Sequence, residues 1–243
     1  MGDAFSTPIP RFPALRMAWC DLLFAHWRVS ADQLRSLLPR ADPGLELDLF
    51  EGEAWIGIVP FRMADVRWTG LPALPGTRDF PELNVRTYVR VAGRPGVWFF
   101  SLDAASRLAV RGARTGFHLP YWDAEMRCET AGDGLRYFSR RIHRGGGEAR
   151  FLGNYAPCGP GFRSAPGTLE HWLTERYRLF VADSRGRLWR GEIDHAPWPL
   201  QPAQATLTTC TMTSPLGLIL PEEPPHLLFA RRLEVRAGML VRA

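Results

Sequence analysis

The sequence predicts a β-rich α+β domain whose antiparallel sheet curves into a single sheet or barrel. Three observations carry this expectation. Roughly ten segments are rich in β-branched and aromatic residues. The connections between them are Gly-rich turns of hairpin length, and helical periodicity is confined to three short stretches. With hairpins dominant and no internal repeat, closing one curved sheet buries the most strand surface.

Residues 1–15 are rich in Pro and predict an extended segment leading into one domain over residues 1–243. Residues 18–29 (AWCDLLFAHWRV) read as a strand. Ser30 is placed as a helix N-cap, with Gln33 three residues on as in a capping box, Leu34, Leu37 and Leu38 on one face, and Pro39 as the stop. Residues 45–50 alternate, and Glu51-Gly52 turns the chain into residues 54–63 (AWIGIVPFRM), apolar on both faces and therefore a buried strand. Residues 70–81 carry repeated Gly and Pro and predict a loop. Strands over 83–91 and 97–103 flank Gly93-Arg94-Pro95-Gly96, a hairpin signal. A short helix is expected over 104–111, then strands over 117–129, 135–143 and 148–155. Thr168 caps a helix running to Glu175, residues 176–182 and 187–194 form a hairpin across Asp183-Ser184-Arg185-Gly186, and 227–235 is a late strand.

Composition narrows the chemistry. Hydrophobic residues make up 46% of the 243 residues, enough for a sizeable core. All 30 basic residues are arginine; there is no lysine, and the formal net charge is +5. No side-chain amine is therefore present to form a Schiff base, and the permanently protonated guanidinium cannot replace one. The arginines are spread among acidic residues without a nucleic-acid-binding signature, so no nucleic-acid partner is expected. Cys20, Cys128, Cys158 and Cys210 form no C-x-x-C pair and read as reduced thiols. No signal peptide and no apolar run of membrane-spanning length is seen, so a cytoplasmic protein without a membrane partner is expected.

Residues 80–91 (FPELNVRTYVRV) are the most informative. Strand alternation places Glu82, Asn84, Arg86 and Tyr88 on one face, with neighbours about 6.6 Å apart, and Leu83, Val85, Thr87 and Val89 on the other. Two readings stay open: a solvated face with a weak ion pair, or a barrel interior where polar groups need partners or a ligand. Residues 113–122 (ARTGFHLPYW) supply Arg114 and Tyr121 for anion binding and His118 for proton transfer, the last weighed against a structural histidine. His26-Trp27-Arg28 reads as packing. The remaining histidines, His143, His171, His195 and His226, show no metal-ligand spacing, so neither a metal nor a cofactor is expected.

Six segments read together carry a resemblance: DLLFAHWRV (21–29), FEGEAWIGIVPFRM (50–63), FPELNVRTYVR (80–90), GVWFFSLDAAS (96–106), LPYWDAEM (119–126) and LTERYRLF (173–180). In this order they resemble the YqjF-like domain-of-unknown-function family, from about Ala18 to Val235. That family is similar in fold to acetoacetate decarboxylase, which implies a cone-like antiparallel β-barrel with a central cavity. The resemblance implies that Glu82, in Phe80-Pro81-Glu82, is a cavity carboxylate. It also places the decarboxylase's Schiff-base lysine near Arg114 or Thr115, before a strand over 117–121; neither residue can do that chemistry.

The combined expectation is a cavity protein for a small anionic or carbonyl-bearing molecule. Glu82 and His118 are its candidate acid–base groups, and Asn84, Arg86, Tyr88, Arg114 and Tyr121 its candidate ligand contacts. The alternatives are a non-imine acid–base enzyme of lyase or isomerase type, a non-catalytic sensor or accessory module, and a barrel filled by its own side chains. Oligomeric state is left open, a homo-oligomer included.

Overall fold

The computed structural model describes residues 13–39, 44–73 and 76–243. The expected extended start lies outside these except for its last three residues. Among the described residues the strands are β1 (Leu15–Val29), β2 (Leu45–Leu47), β3 (Ala54–Trp68), β4 (Phe80–Val91), β5 (Arg94–Ala104), β6 (Tyr121–Ala131), β7 (Gly134–Arg141), β8 (Arg150–Pro157), β9 (Arg178–Ala182), β10 (Leu188–His195), β11 (Leu200–Cys210), β12 (His226–Ala237) and β13 (Val241–Arg242). Three α-helices, α1 (Ala31–Leu37), α2 (Arg107–Phe117) and α3 (Leu169–Thr174), connect them. None of these helices is long and apolar enough to cross a membrane.

All the strands belong to one sheet, and two of its edges are divided. One edge of β5 lies along β4 over nearly its whole length. Its other edge is shared: Leu102–Ala104 pair in parallel with Tyr121–Asp123 of β6, while Val97 and Trp98 pair in parallel with Leu179 and Phe180 of β9. These two parallel ladders depart from the all-antiparallel expectation. β12 is divided in the same way, between Leu200–Pro202 of β11 and Ile193–His195 of β10. Each division closes a ring. β5-β6-β7-β8-β11-β12-β1-β3-β4 is a closed nine-stranded barrel, and β5-β9-β10-β12-β1-β3-β4 closes a second ring of seven strands.

The five strands from β12 to β5 are a wall between the two interiors, which is why β1, β3 and β4 are buried on both faces over most of their length. Leu23, Ile56, Ile58, Leu83 and Val85 face the nine-stranded ring, where Tyr137, Phe151 and Tyr155 fill the space. The opposite parity, Leu22, Phe24, Val59 and Phe61, faces the seven-stranded ring. Alternation alone cannot maintain this over such long strands. Asp21 in β1 (φ 53°) and Asp65 in β3 (φ 54°) take left-handed conformations, which Asp tolerates better than most residues. They let Trp19 and Leu22, and likewise Met63 and Val66, face one interior although each pair is three residues apart. Arg62 and Arg231 hold the Asp21 carboxylate; Arg78 and Arg232 hold that of Asp65.

Several element limits differ from expectation. The Gly93-Arg94-Pro95-Gly96 hairpin is real, but its turn is the two residues Ala92-Gly93, both at positive φ, and Arg94 and Pro95 already pair with Val91 and Arg90. α2 runs to Phe117, well past the expected end at Arg111, and β6 starts only at Tyr121. Gly112 and Gly116 weaken the helical signal there, while Ser106 caps the N-terminus through the Ala109 amide. β11 was not among the expected strands, and it carries Pro202, a residue disfavoured within a sheet. Pro202 sits where the strand passes from pairing β12 to pairing β8.

Gly96 marks the closest approach of the second ring: a Cβ there would lie 2.5 Å from the Phe180 ring and 3.0 Å from the Arg178 carbonyl oxygen. Gly96→Ala is expected to lower unfolding stability by about 1–3 kcal/mol in urea denaturation. Gly116→Ala, on α2 with nothing within 4 Å of the new methyl, is expected to raise it by about 0.5–1 kcal/mol.

Candidate functional site

The nine-stranded ring is packed; the seven-stranded ring encloses a cavity of about 430 Å³. β4 supplies its polar wall. Glu82, Asn84 and Arg86 all line the cavity, spaced as alternate residues on one strand face. Opposite them on β3 stand Phe61, Val59 and Gly57. The polar face of β4 is therefore an interior surface rather than a solvated one. The rest of the wall is mostly apolar, with Arg67, Thr77, Tyr121 and Glu192 as its other polar members.

Glu82 is 1% exposed, and the Tyr121 hydroxyl donates to its Oε2 at 2.9 Å. Burial pushes its pKa up to about 8; the Tyr121 hydrogen bond pulls the other way, and the charge of Asp103 adds to the rise. Asp103 lies behind the wall in a buried forked pair with Arg141, at 2.6 to 3.1 Å. The Tyr121 phenol is itself held well above its usual range by burial and the Glu82 charge. At neutral pH the pair is thus an un-ionised carboxylic acid beside an un-ionised phenol.

Arg86 is 9% exposed. Its Nη2 makes only long contacts, 3.4 Å each, to the Tyr88 hydroxyl and the Leu173 carbonyl, and its Nε has no partner. The guanidinium rests on Phe24 and Tyr88, 5.2 and 5.7 Å from the ring centroids. Among the described residues no carboxylate pairs with it. Asn84 Oδ1 is likewise buried without a partner, as are the indole N–H groups of Trp19 and Trp198, which also line the cavity and stack at 5.7 Å.

The other expected site residues lie elsewhere. Tyr88 shares the face but is fully buried beneath Arg86, donating to the Leu173 carbonyl at 2.9 Å. With its one proton committed there, it accepts from His26 Nε2 at 2.6 Å. Burial, aided by the Arg86 charge, keeps His26 neutral, its pKa lowered well below the ordinary value. Arg114 donates to the Tyr121 carbonyl at 2.7 Å and lies over Trp122, so it fixes Tyr121 without lining the cavity. His118 is the exposed left-handed cap of α2, against Trp189 and away from Glu82. Arg114 was expected just before a strand and His118 on it; the helical continuation of α2 turns them outward, and Ala109 and Ala113 line the cavity instead. Trp198, in a Pro-flanked loop, carried no sequence signal; Glu175 anchors its amide at 2.9 Å. Among the described residues no group of three His, Cys, Asp or Glu side chains is placed to hold a metal ion.

The model of the DUF2071 family, described as "Uncharacterized conserved protein (COG2071)", matches residues 16–234. The chain belongs to this family. A DUF2071 chain of this kind is similar to the uncharacterized protein YqjF of Bacillus subtilis (strain 168), with 47% identity over 221 residues covering 91% of this chain and 89% of YqjF. The expected family is thus the observed one. Among solved structures, acetoacetate decarboxylase from Legionella pneumophila is similar at a TM-score of 0.63 and 18% identity, over 98% of this chain and 93% of that one. The enduracididine biosynthesis enzyme MppR complexed with pyruvate gives 0.63 and 14%, over 98% and 93%. An acetoacetate-decarboxylase-like enzyme from Sphingomonas wittichii RW1 gives 0.60 and 13%, over 95% and 93%. This DUF2071 chain therefore has the acetoacetate-decarboxylase-like fold.

The Glu82 carboxyl has a measurable signature. Between pH 4.5, its ordinary value, and about 8 the native chain keeps a proton that the unfolded chain has released. Stability therefore falls as pH rises through that window and levels off above it. Glu82→Gln is expected to remove this fall, so its advantage over the unmodified chain in urea denaturation grows by several kcal/mol from pH 5 to pH 9, at ~1.4 kcal/mol per unit of displacement. Tyr121→Phe deletes the bond that favours the carboxylate, and carboxyl-carbon NMR is expected to show the Glu82 midpoint moving further up.

Proposed function

We propose that the cavity binds an organic anion carrying a carbonyl group, with Arg86 and Asn84 taking the anionic end and Glu82–Tyr121 handling a proton. The observation that carries this is Arg86, a buried guanidinium lining a cavity and, among the described residues, without a carboxylate partner. An unpaired buried charge is costly, and a bound anion removes that cost. Asn84 Oδ1 and Arg86 Nε, both without partners, add groups that a ligand satisfies.

Glu82 supports an acid–base role rather than binding alone. A carboxyl titrating at about 8 is a competent proton donor at neutral pH and a competent base just above it. Held by Tyr121, it can donate a hydrogen bond to a carbonyl oxygen as negative charge develops there. This is chemistry of lyase or isomerase type. With no lysine in the sequence, it runs without a side-chain imine. Two fold neighbours point to the same class of molecule: one is an acetoacetate decarboxylase, and another was solved with pyruvate. A barrel filled by its own side chains does not fit a void beside Glu82.

A panel of 2-oxo acids and matched methyl ketones tests the proposal by thermal shift. An acid at 100 times its dissociation constant is expected to stabilise the protein by ~2.7 kcal/mol. Arg86→Leu is expected to weaken acid binding by about 10- to 100-fold, the worth of hydrogen bonds to a charged group, and to leave the ketones unaffected. Glu82→Gln is expected to change binding little and to lower proton exchange at the carbon next to the carbonyl, followed by deuterium uptake, by about 10²- to 10⁴-fold. Acids that bind equally well without Arg86 would refute the anion site.

A further inference from the structure

The polar wall uses only a small part of the cavity. An apolar void of ~150 Å³ holds a benzene ring; the volume here, about 430 Å³, corresponds to roughly fifteen non-hydrogen atoms on that scale. A short keto acid leaves most of this space empty, and an empty apolar void forfeits packing energy along its whole lining.

The register shows where the surplus lies. Arg86 faces Gly57 of β3, Glu82 faces Phe61, and Phe80 faces Met63. The strand thus advances about 20 Å from Arg86 to Phe80, with the guanidinium at one end. Beyond Phe80 the lining is mainly apolar, with Met17, Met63 and Val66 from the strands and Ala109, Ala113 and Phe117 from α2, and its polar members are the exposed Arg67 and the half-buried Thr77. α2 crosses this end of the ring, pinned by Phe117 on Trp68 and His118 on Trp189. At the rim, Trp68 and Leu108 line the cavity and remain 42% and 59% exposed. On one helix the cavity-facing positions are Ala and Gly, which keeps the passage open, while the large apolar side chains stand at its mouth.

Resting on the anion site proposed above, we infer that the ligand carries an apolar tail of about eight to ten carbons behind its acid group. The head lies at Arg86 and Asn84. The chain passes Glu82–Tyr121, runs beneath α2 and ends between Trp68 and Leu108. The protein's substrate class is thus a medium-chain acid with an internal or neighbouring carbonyl, rather than a short keto acid.

A chain-length series decides it. Straight-chain 2-oxo acids of about four to about twelve carbons, and methyl ketones of the same lengths, are titrated into the full chain and followed by tryptophan fluorescence. The expected result is a dissociation constant that falls about 4-fold per added methylene and levels off near ten carbons. Ala113→Leu, which narrows the passage, is expected to bring that levelling two or three methylenes earlier. Short acids that bind in an Arg86-dependent way with no gain from added methylenes would overturn the tail and leave the anion site standing. Long ketones that bind as tightly as long acids, with no effect of Arg86→Leu, would overturn the anion site and the inference with it. Absence of binding at every length would overturn both.

Discussion

A strand edge can offer each backbone N–H and C=O to only one neighbour. β5 and β12 satisfy this by serving two partners in succession: β5 gives Val97 and Trp98 to β9 and Leu102–Ala104 to β6, and β12 gives its two ends to β11 and β10. Everything else in the fold answers to these divisions. They turn one sheet into two closed rings with a common wall, abolish most free edges, and bury β1, β3 and β4 on both faces. The left-handed aspartates in β1 and β3 are part of the same solution. Where the wall must curve around two interiors, Asp21 and Asp65 reset the side-chain parity, and pairs of arginines cover their carboxylates.

The two interiors then diverge in chemistry. Tyr137 and Tyr155 fill the larger ring and spend their hydroxyls on backbone carbonyls of the wall, at Glu82 and Asp21. The smaller ring leaves its polar groups unspent. Along β4 a neutral acid, an amide and a guanidinium follow one another, each two residues on. Behind the guanidinium lies a buried floor in which His26 Nε2, the Tyr88 hydroxyl and the Leu173 carbonyl are linked by hydrogen bonds. Gly57 belongs to that floor: a Cβ there would come within 2.8 Å of His26 Nε2 and 3.4 Å of the Arg86 side chain. The absence of a side chain at this position is what allows the imidazole and the guanidinium to lie side by side.

Much of this was legible in the chain. The alternation in β4 put Glu82, Asn84 and Arg86 on one face, and the two-sided apolar run of β3 announced a buried strand. Tyr88 obeyed the same alternation, yet the pattern carried no information about depth, and it lies below the cavity. What could not be read were contacts between distant segments. Tyr121 meets Glu82 across 39 positions, and Trp198 reaches the wall from a loop with no periodicity. α2 was cut short because Gly112 and Gly116 weaken its helical signal, and only Gly112 of the two lines the cavity. That single misjudged boundary put His118 on a strand and Arg114 just ahead of it, where both in fact belong to α2 and its cap.

The hollow ring is also the less firmly tied of the two. The nine-stranded ring is braced from within by a continuous apolar cluster. The β9–β10 hairpin has five cross-strand pairs of its own, and joins the wall through two residues of β5 and three of β12 over an interior that is partly void. Cooperative opening units in a native protein are set by how much buried contact each must break. In this chain the wall that encloses the cavity and the unit with the least to lose on opening are one and the same. The hairpin is therefore the part of the enclosure expected to open below the free energy of global unfolding, apart from the mouth between Trp68 and Leu108.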